Sequence, residues 1–223
     1  MYARNAAIDA SRGRYLALLD ADDVWMPHHL AEAVAVLERE PETNLVHANI
    51  ECMDAAGHPW PARKRLWRGT NDAFTTLLLR REHVSCPTAV FRRSVIDAIG
   101  AFDPAFNRLG CEDRDLWLRI AKFGGLRYLD SVHARYRVHG ANMSGNAERM
   151  MCARLLLIDR HVPDERQHHL RKQAVAAIHV ELGDGLFNAG RRSQAFAAYL
   201  RALTWSRSME EVWRGVARCL LRP

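Results

Sequence analysis

The sequence lacks the features of a membrane-spanning, disulfide-stabilised or nucleic-acid-binding protein. No apolar run approaches the roughly 18 residues that a membrane-spanning helix needs. No signal-peptide or transit-peptide pattern follows Met1, so we expect the chain as it stands to be soluble. The five cysteines are odd in number and widely separated, without a Cys-x-x-Cys pair. This pattern indicates reduced thiols and argues against a cysteine zinc site.

The net charge is +6, which suits anionic substrates or an anionic membrane surface. The arginine-rich segments lack the regularly interleaved aromatic residues of a nucleic-acid-binding surface, so we predict no nucleic-acid partner. A hydrophobic content of 48% over 223 residues is enough for one sizeable core, or for one core and a small appendage.

The most informative segment is a short apolar stretch that ends in three carboxylates, residues 15–23, YLALLDADD. Five apolar residues before such a cluster predict a buried strand, and ligands of open α/β sheets bind beyond the carboxyl ends of strands. Asp20 and Asp22 can turn toward one hard divalent cation, together with water and phosphate oxygens. The alternative interpretation is a solvated turn and helix N-cap ahead of Pro27.

The residues upstream of this segment favour a ligand site. Residues 3–10 have helical apolar spacing, and Gly13 is a helix stop before the strand. The order Ala-Arg-Asn at residues 3–5, then Gly13 and Tyr15, then the acidic run resembles the family 2 glycosyltransferases of GT-A fold. The match spans residues 3–25, and the acidic pair at residues 112–113 repeats a second signature of that family.

The resemblance implies a role for each matching residue of the first block. Asp20 would approach the nucleotide ribose, and Asp22 would bind the metal, Mg²⁺ or Mn²⁺. Arg4 would lie near the diphosphate, where a guanidinium offers a planar fork to phosphate oxygens. The alternative for Arg4 is a surface cation on an amphipathic helix.

The second constellation is a loop followed by a predicted helix, residues 107–120, NRLGCEDRDLWLRI. Acids are favoured near a helix start by the macrodipole, which could explain one of its carboxylates. Displacement at the anomeric carbon of a sugar needs a base within hydrogen-bond reach of the acceptor hydroxyl. The resemblance assigns that role to Asp113, with Glu112 as a supporting or acceptor-binding acid, and it implies an inverting single displacement.

A third segment, residues 136–144, YRVHGANMS, follows a strand predicted over residues 126–138. Family members often show Tyr-Arg-x-His-x-x-Asn-x-Ser at this place, which implies that His139 reaches the metal or the diphosphate. The alternative is a structural, hydrogen-bonding histidine. The ten other histidines show no metal-ligand spacing.

The pattern of elements predicts two domains. Strands and helices alternate through residues 1–145, which indicates an α/β fold and, by the resemblance, a partial, Rossmann-like GT-A domain. Residues 146–223 lose strand patterning and predict an all-helical carboxyl-terminal appendage. Within it, residues 182–203 resemble one tetratricopeptide-type hairpin. Because about three repeats are needed for a stable solenoid, we expect this unit to dock on the catalytic domain or to bind a protein partner.

The comparison with a complete GT-A domain predicts a missing amino-terminal segment. Such a domain carries a strand and helix for the nucleotide base before the Ala-Arg-Asn block, which here starts almost at Met1. We therefore expect weak or absent activity from this chain alone. One alternative is a truncated, catalytically silent relative that acts as an interaction module. Another is a haloacid-dehalogenase-like phosphatase, because Asp20 and Asp22 fit its Asp-x-Asp pattern and residues 183–185, GDG, mimic its later motif.

The resemblance implies metal-assisted transfer of a sugar from a UDP-, GDP- or dTDP-sugar to a hydroxyl of a glycan or lipid-linked acceptor. The pathway would be glycan or polysaccharide biosynthesis, and Mg²⁺ or Mn²⁺ would be the cofactor. We predict a cytoplasmic location, with peripheral association at the inner face of the membrane left open.

Overall fold

The structure of the protein is a computed structural model that describes residues 1–60, 72–139, 147–163, 168–206 and 210–221. The chain divides into two compact units. The first comprises Met1–Leu77, Arg81–Arg108 and Glu112–Gly145, and the second comprises Leu78–Arg80, Leu109–Cys111 and Asn146–Pro223. The predicted domain boundary at Gly145 and the motif residues from Gly140 to Ser144 lie outside the described residues, so both stay predictions.

The first unit contains alternating strands and helices. Its helices are α1 (Tyr2–Ala10), α2 (His29–Arg39), α3 (Ala73–Leu78), α4 (Arg93–Ile99) and α5 (Glu112–Phe123). Its strands are β1 (Tyr15–Ala17), β2 (Val24–Trp25), β3 (Thr43–Met53), β4 (Pro59–Trp60), β5 (Val90–Arg92) and β6 (Gly125–Arg137). Short 3₁₀ helices cover Cys86–Thr88 and Pro104–Phe106.

The described strands form one mixed sheet in the order β1-β5-β3-β6-β2, with β4 paired to β3. Strand β5 is antiparallel to both β1 and β3, and β3 is parallel to β6. Strands β1, β3 and β6 therefore run in the same direction, and their carboxyl ends lie at one edge of the sheet. The acidic run follows β1 and His139 follows β6, so the topology places both segments at this edge.

Strand β1 is shorter than the five apolar residues predict. Among the described strands β1 pairs with β5 alone, and the ladder ends where Ala17 faces Val90, the first residue of β5. Beyond Ala17 the chain has no described strand opposite it, and Leu19 is 45% exposed. The length of β1 is thus set by its partner rather than by its own hydrophobicity.

Helices cover both faces of the sheet. Val36 and Leu37 of α2 pack with Val90 in one buried cluster. The next residue of β5, Phe91, turns to the other face, where its ring meets Trp117 of α5 edge-on at a centroid distance of 5.6 Å. Helices α2 and α5 therefore pack on opposite faces of the sheet through neighbouring residues of β5.

From residue 147 onward the described part of the second unit forms helices, namely α6 (Ala147–His161), α7 (His168–Asn188), α8 (Arg192–Trp205) and α9 (Glu210–Leu220). Residues 189–191 join α7 to α8, and the fully buried Tyr199 of α8 donates a hydrogen bond to Asp184 Oδ1 of α7 at 2.7 Å. Asp184 therefore has a packing role, and its GDG segment lies within a helix. The predicted helical appendage is confirmed, while its tetratricopeptide character stays a prediction.

Within the described ranges, no helix combines the length and the apolar character needed to cross a membrane.

Alanine substitutions at two glycines of α7 should change the free energy of unfolding in opposite directions. A Cβ at Gly183 would lie 2.6 Å from Tyr199 Cε1, whereas a Cβ at Gly185 would meet nothing within 4 Å. We expect Gly183→Ala to lower the free energy of unfolding by about 1–3 kcal/mol, because the buried ring must shift. The matched control Gly185→Ala should raise it by about 0.5–1 kcal/mol through helix propensity. Urea unfolding followed by the helical signal measures both, and equal effects would contradict this packing.

His47 on β3 makes the first unit sensitive to acid. The side chain is 1% exposed, and burial lowers its pKa to about 3. A histidine in the unfolded chain has a pKa near 6.5. Below about that pH the unfolded state therefore binds a proton at this residue and the folded state does not. Stability is full above about pH 6.5 and is lost as the pH falls toward the folded pKa.

We expect the burial of neutral His47 to lower the free energy of unfolding by about 2 kcal/mol when the pH falls from about 7.5 to about 5. His47→Phe keeps a ring beside Tyr128, whose centroid lies 5.4 Å away, but cannot titrate. Urea unfolding at the two pH values should therefore show a smaller loss in the variant. An identical loss in both proteins would show that other groups cause the acid sensitivity.

Candidate active site

The acidic run forms a turn at the carboxyl end of β1. The Asp23 backbone N–H donates to the Asp20 carbonyl at 3.1 Å, which closes a turn over Ala21 and Asp22. Asp22 Oδ2 lies 2.9 Å from Nε2 of His139, which follows β6. This hydrogen bond lowers the pKa of Asp22, so its carboxylate is ionised at neutral pH. Two residues that the sequence proposed as metal ligands are therefore neighbours.

Arg4 joins the acidic run to the start of α5. Its Nη2 lies 2.5 Å from Asp20 Oδ1, and its Nη1 lies 3.0 Å from Glu112 Oε1. The guanidinium also lies over the Phe102 ring, 5.6 Å from the centroid. With 24% of its side chain exposed, Arg4 is a paired group between two motifs and not a solvated surface cation.

Asn5 fixes the helix that carries Arg4. Its Nδ2 donates to the Phe102 carbonyl at 2.8 Å, and its Oδ1 accepts from the Phe102 N–H at 3.0 Å. This two-bond contact ties α1 to the loop that precedes α5. The Arg-Asn pair of the first block thus has one residue in the site and one that positions it.

Asp20 and Asp22 each lie beside a different donor. Asp20 pairs with Arg4, and Asp22 contacts His139. That both carboxylates turn toward one cation stays a prediction.

Asp113 lies in the first turn of α5 with an unusually basic carboxylate. Its Oδ1 accepts from the Arg114 N–H at 2.7 Å. Burial raises the pKa of Asp113, and the neighbouring charge of Glu112 raises it further. A carboxylate with a raised pKa binds a proton more readily, as a general base must.

Cys86 lies close to the charges of Asp113, Arg4, Asp20 and Glu112, which the sequence did not reveal. Burial raises its pKa well above the ordinary thiol value, and the charge of Asp113 adds to that effect. The thiol is therefore neutral and a poor nucleophile. Cys86 belongs to no motif, and only the fold brings it beside α5.

The third acid of the run, Asp23, is buried and accepts a backbone hydrogen bond, which the sequence motif did not indicate. It is 7% exposed, and its Oδ1 accepts from the Arg137 N–H at 2.9 Å. Burial raises the pKa of Asp23 to about 6. Arg137 Nε also donates to the Asp22 carbonyl at 2.8 Å, so the two residues tie the turn to β6.

The chemistry of the Asp22 and His139 pair fits a divalent metal ion. One carboxylate oxygen and one imidazole nitrogen lie 2.9 Å apart, and both side chains are partly exposed. Carboxylates suit Mg²⁺ and Mn²⁺, imidazoles suit later transition metals, and water or phosphate oxygens can complete the coordination.

The family model and several curated relatives that match this sequence are described as glycosyltransferases. Residues 1–100 match the model described as glycosyl transferase family 2. An uncharacterized glycosyltransferase of Nostoc sp. is 26% identical over 98% of this chain and 66% of its own length. WfaP of Escherichia coli, named a UDP-Glc:alpha-D-GlcNAc-diphosphoundecaprenol beta-1,3-glucosyltransferase, is 27% identical over 65% of this chain and 53% of its own. The chain thus spans between half and two thirds of these curated relatives.

Solved structures share the fold at low sequence identity. TarS of S. aureus in complex with UDP-GlcNAc has a TM-score of 0.51 and 15% identity, over 97% of this chain and 58% of its own. Mannosyltransferase PcManGT from Pyrobaculum calidifontis, in complex with GDP-Man and Mn²⁺, has a TM-score of 0.56 and 18% identity. The match covers 100% of this chain and 60% of the PcManGT chain. This likeness confirms the GT-A fold. The family match over residues 1–100, the glycosyltransferase relatives and this fold together support a family 2 glycosyltransferase.

Proposed function

We propose that this chain transfers a sugar from a nucleoside diphosphate sugar to a hydroxyl of a glycan or lipid-linked acceptor, with inversion at the anomeric carbon. The observation that carries the proposal is the Arg4 bridge, which joins Asp20 of the first motif to Glu112 of the second. It brings a candidate diphosphate site and a candidate base into one site. The names of the relatives support it, since WfaP is named for UDP-Glc and TarS and PcManGT are in complex with UDP-GlcNAc and GDP-Man.

Arg4 would stabilise the leaving diphosphate. Its guanidinium is always charged and presents a rigid fork of donors that matches phosphate oxygens. The pairs with Asp20 and Glu112 hold this fork at the sheet edge before a donor binds, which reduces the reorganisation needed during the reaction. Asp20 would then lie beside the nucleotide ribose.

Asp22 and His139 would hold the divalent ion, Mn²⁺ or Mg²⁺. Bound there, it supplies Lewis-acid neutralisation of the charge on the diphosphate. The lowered pKa of Asp22 keeps this side chain ionised and ready to bind a cation. His139 reaches the position from the end of β6, so the site takes one residue from each of two strand ends.

Asp113 would act as the base. The acceptor hydroxyl loses its proton to the Asp113 carboxylate while its oxygen forms a bond to the anomeric carbon and the bond to the diphosphate breaks. One such displacement inverts the configuration. Burial raises the pKa of Asp113, which favours proton uptake, and Glu112 beside it would orient the acceptor.

A cytoplasmic site of action, with peripheral contact to a membrane, fits the same proposal. The net charge of +6 favours an anionic donor and an anionic membrane surface that presents a lipid-linked acceptor. The helical unit would supply a surface for a protein partner, as its predicted hairpin suggests.

The experiment is a donor panel. The purified chain is incubated with UDP-, GDP- and dTDP-sugars with and without Mn²⁺, and the released nucleoside diphosphate and the anomeric configuration of the product are followed by NMR. Because weak activity is expected of this chain alone, we expect slow, metal-dependent consumption of at least one donor and an inverted product. A folded chain that consumes none of them would favour the catalytically silent alternative.

A further inference from the structure

A second group of potential metal ligands lies on the first unit outside the proposed catalytic site. His28 and Glu32 are one helical turn apart at the start of α2, and His133 lies on β6. One ring nitrogen from each histidine and one carboxylate oxygen of Glu32 all lie within 4.8 Å of one another. Within this group, His133 Nε2 lies 3.2 Å from Glu32 Oε2.

Neighbouring groups hold both histidine rings in place. His28 Nε2 donates to the Val132 carbonyl at 3.1 Å, and His133 Nδ1 lies 3.1 Å from His29 Nδ1. Metal-bound histidines commonly use their second nitrogen for such contacts, which orient the ring and fix its tautomer. Of the two facing Nδ1 atoms one must donate, and donation by His133 leaves its Nε2 lone pair directed at Glu32.

The backbone around the cluster brings the start of α2 beside β6. Strand β2, which directly precedes α2, pairs with β6 through Val24 opposite Arg135 and Trp25 opposite Ala134. The Met26 N–H then donates to the His133 carbonyl at 2.9 Å. The positions of the three ligands therefore follow from sheet pairing and one helical turn.

We propose that His28, Glu32 and His133 bind a transition-metal ion such as Zn²⁺, which joins the first turn of α2 to β6. Two imidazoles and one carboxylate are the ligands of known three-residue zinc sites, with water in the remaining position. Mg²⁺ prefers oxygen ligands and would bind this set poorly. Glu32 is 52% exposed and His133 is fully buried, so an ion can enter from solvent and reach a ring held in the interior.

The competing explanation is an ordinary hydrogen bond from a His133 Nε2–H to Glu32. Ser131 Oγ also lies 2.8 Å from this nitrogen and can act as donor or acceptor in either case. The two explanations differ in one measurable property, which is the affinity of the folded chain for a borderline metal ion.

The test is a Co²⁺ titration of the full chain after treatment with a chelator, followed by visible absorption, with Zn²⁺ added to compete. We expect a d–d band in the wild type and at least about tenfold weaker binding in Glu32→Gln and in His28→Gln. The matched control is His58→Gln, which removes an exposed histidine 3.1 Å from Asp54 and should leave the band intact. Zn²⁺ should raise the melting temperature of the wild type and the control, but not of the ligand variants.

Asp22→Asn should also keep the cobalt band, because it alters the other candidate metal site. The absence of a band in the folded wild type, a band unchanged in both ligand variants, or a sulfur-to-cobalt charge-transfer band would each overturn the proposal. These outcomes are independent of sugar transfer, so they test this site separately from the proposed function.

Discussion

Asp113→Asn should slow sugar transfer by about 100- to 10,000-fold while leaving nucleotide affinity nearly unchanged. The amide cannot accept a proton from the acceptor hydroxyl, but its oxygen can still accept the hydrogen bond from the Arg114 N–H. Because the substitution keeps this contact, the loss reports on chemistry and not on folding. Nucleoside diphosphate release at high enzyme concentration measures the rate, and calorimetric titration measures nucleotide affinity.

The matched control for this prediction is Asp97→Asn. Asp97 is an exposed acid on α4 of the same unit, and its loss changes the net charge equally. We expect this control to retain the wild-type rate. If Asp113→Asn kept more than about a tenth of the rate, the base would have to be another group, and Glu112→Gln would be the next variant to measure.

Asp22→Asn should weaken Mn²⁺ binding in the presence of nucleoside diphosphate by at least about tenfold. The hydrogen bond from His139 lowers the pKa of Asp22, so the wild-type side chain is an anion at neutral pH and the amide is not. The signal of free Mn²⁺ in electron paramagnetic resonance gives the bound fraction directly. His139→Gln should act in the same direction with a smaller effect, because it leaves the Asp22 carboxylate in place.

Glu32→Gln is the control that separates the two candidate metal sites. It should leave Mn²⁺ binding with nucleotide unchanged, since Glu32 belongs to the cluster on α2 and β6. Unchanged Mn²⁺ binding in Asp22→Asn would remove Asp22 from the proposed metal site and leave the acidic run as a structural turn.

Local patterns were sufficient to predict the elements that carry the site. The strand predicted over residues 126–138 is Gly125–Arg137 in the structure, and the acidic pair opens α5 as expected. Both predictions rest on hydrophobic periodicity and on acids near a helix start, which are properties of neighbouring residues. The α/β fold followed from the same alternation of elements.

Contacts between distant residues could not be derived in this way. Arg4 and Glu112 are 108 residues apart, and Asp22 and His139 are 117 apart. Their meeting depends on strand order, in which an antiparallel β5 separates β1 from β3. The family resemblance placed these residues in one site, but it did not indicate that Arg4 would neutralise both acids.

Residues outside the motifs join these groups only through tertiary structure. The sequence showed no metal-ligand spacing among the remaining histidines, yet His28, the N-cap of α2, lies one helical turn from Glu32, and His133 completes the group from β6. Cys86 likewise stands outside every motif and enters the cluster through its 3₁₀ helix. A spacing rule finds a pair on one helix but not a third residue on a neighbouring strand.

The proposed function requires that the edge of the sheet carrying Asp20, Asp22 and His139 bind a nucleoside diphosphate together with a metal ion. Its most direct test is calorimetric titration of UDP, then GDP, into the purified chain with and without Mn²⁺, with Asp22→Ala as the comparison. We predict binding that requires Mn²⁺ and is lost in the variant. A folded chain that binds neither nucleotide, or binds one equally well without the metal and in Asp22→Ala, would contradict the proposed site.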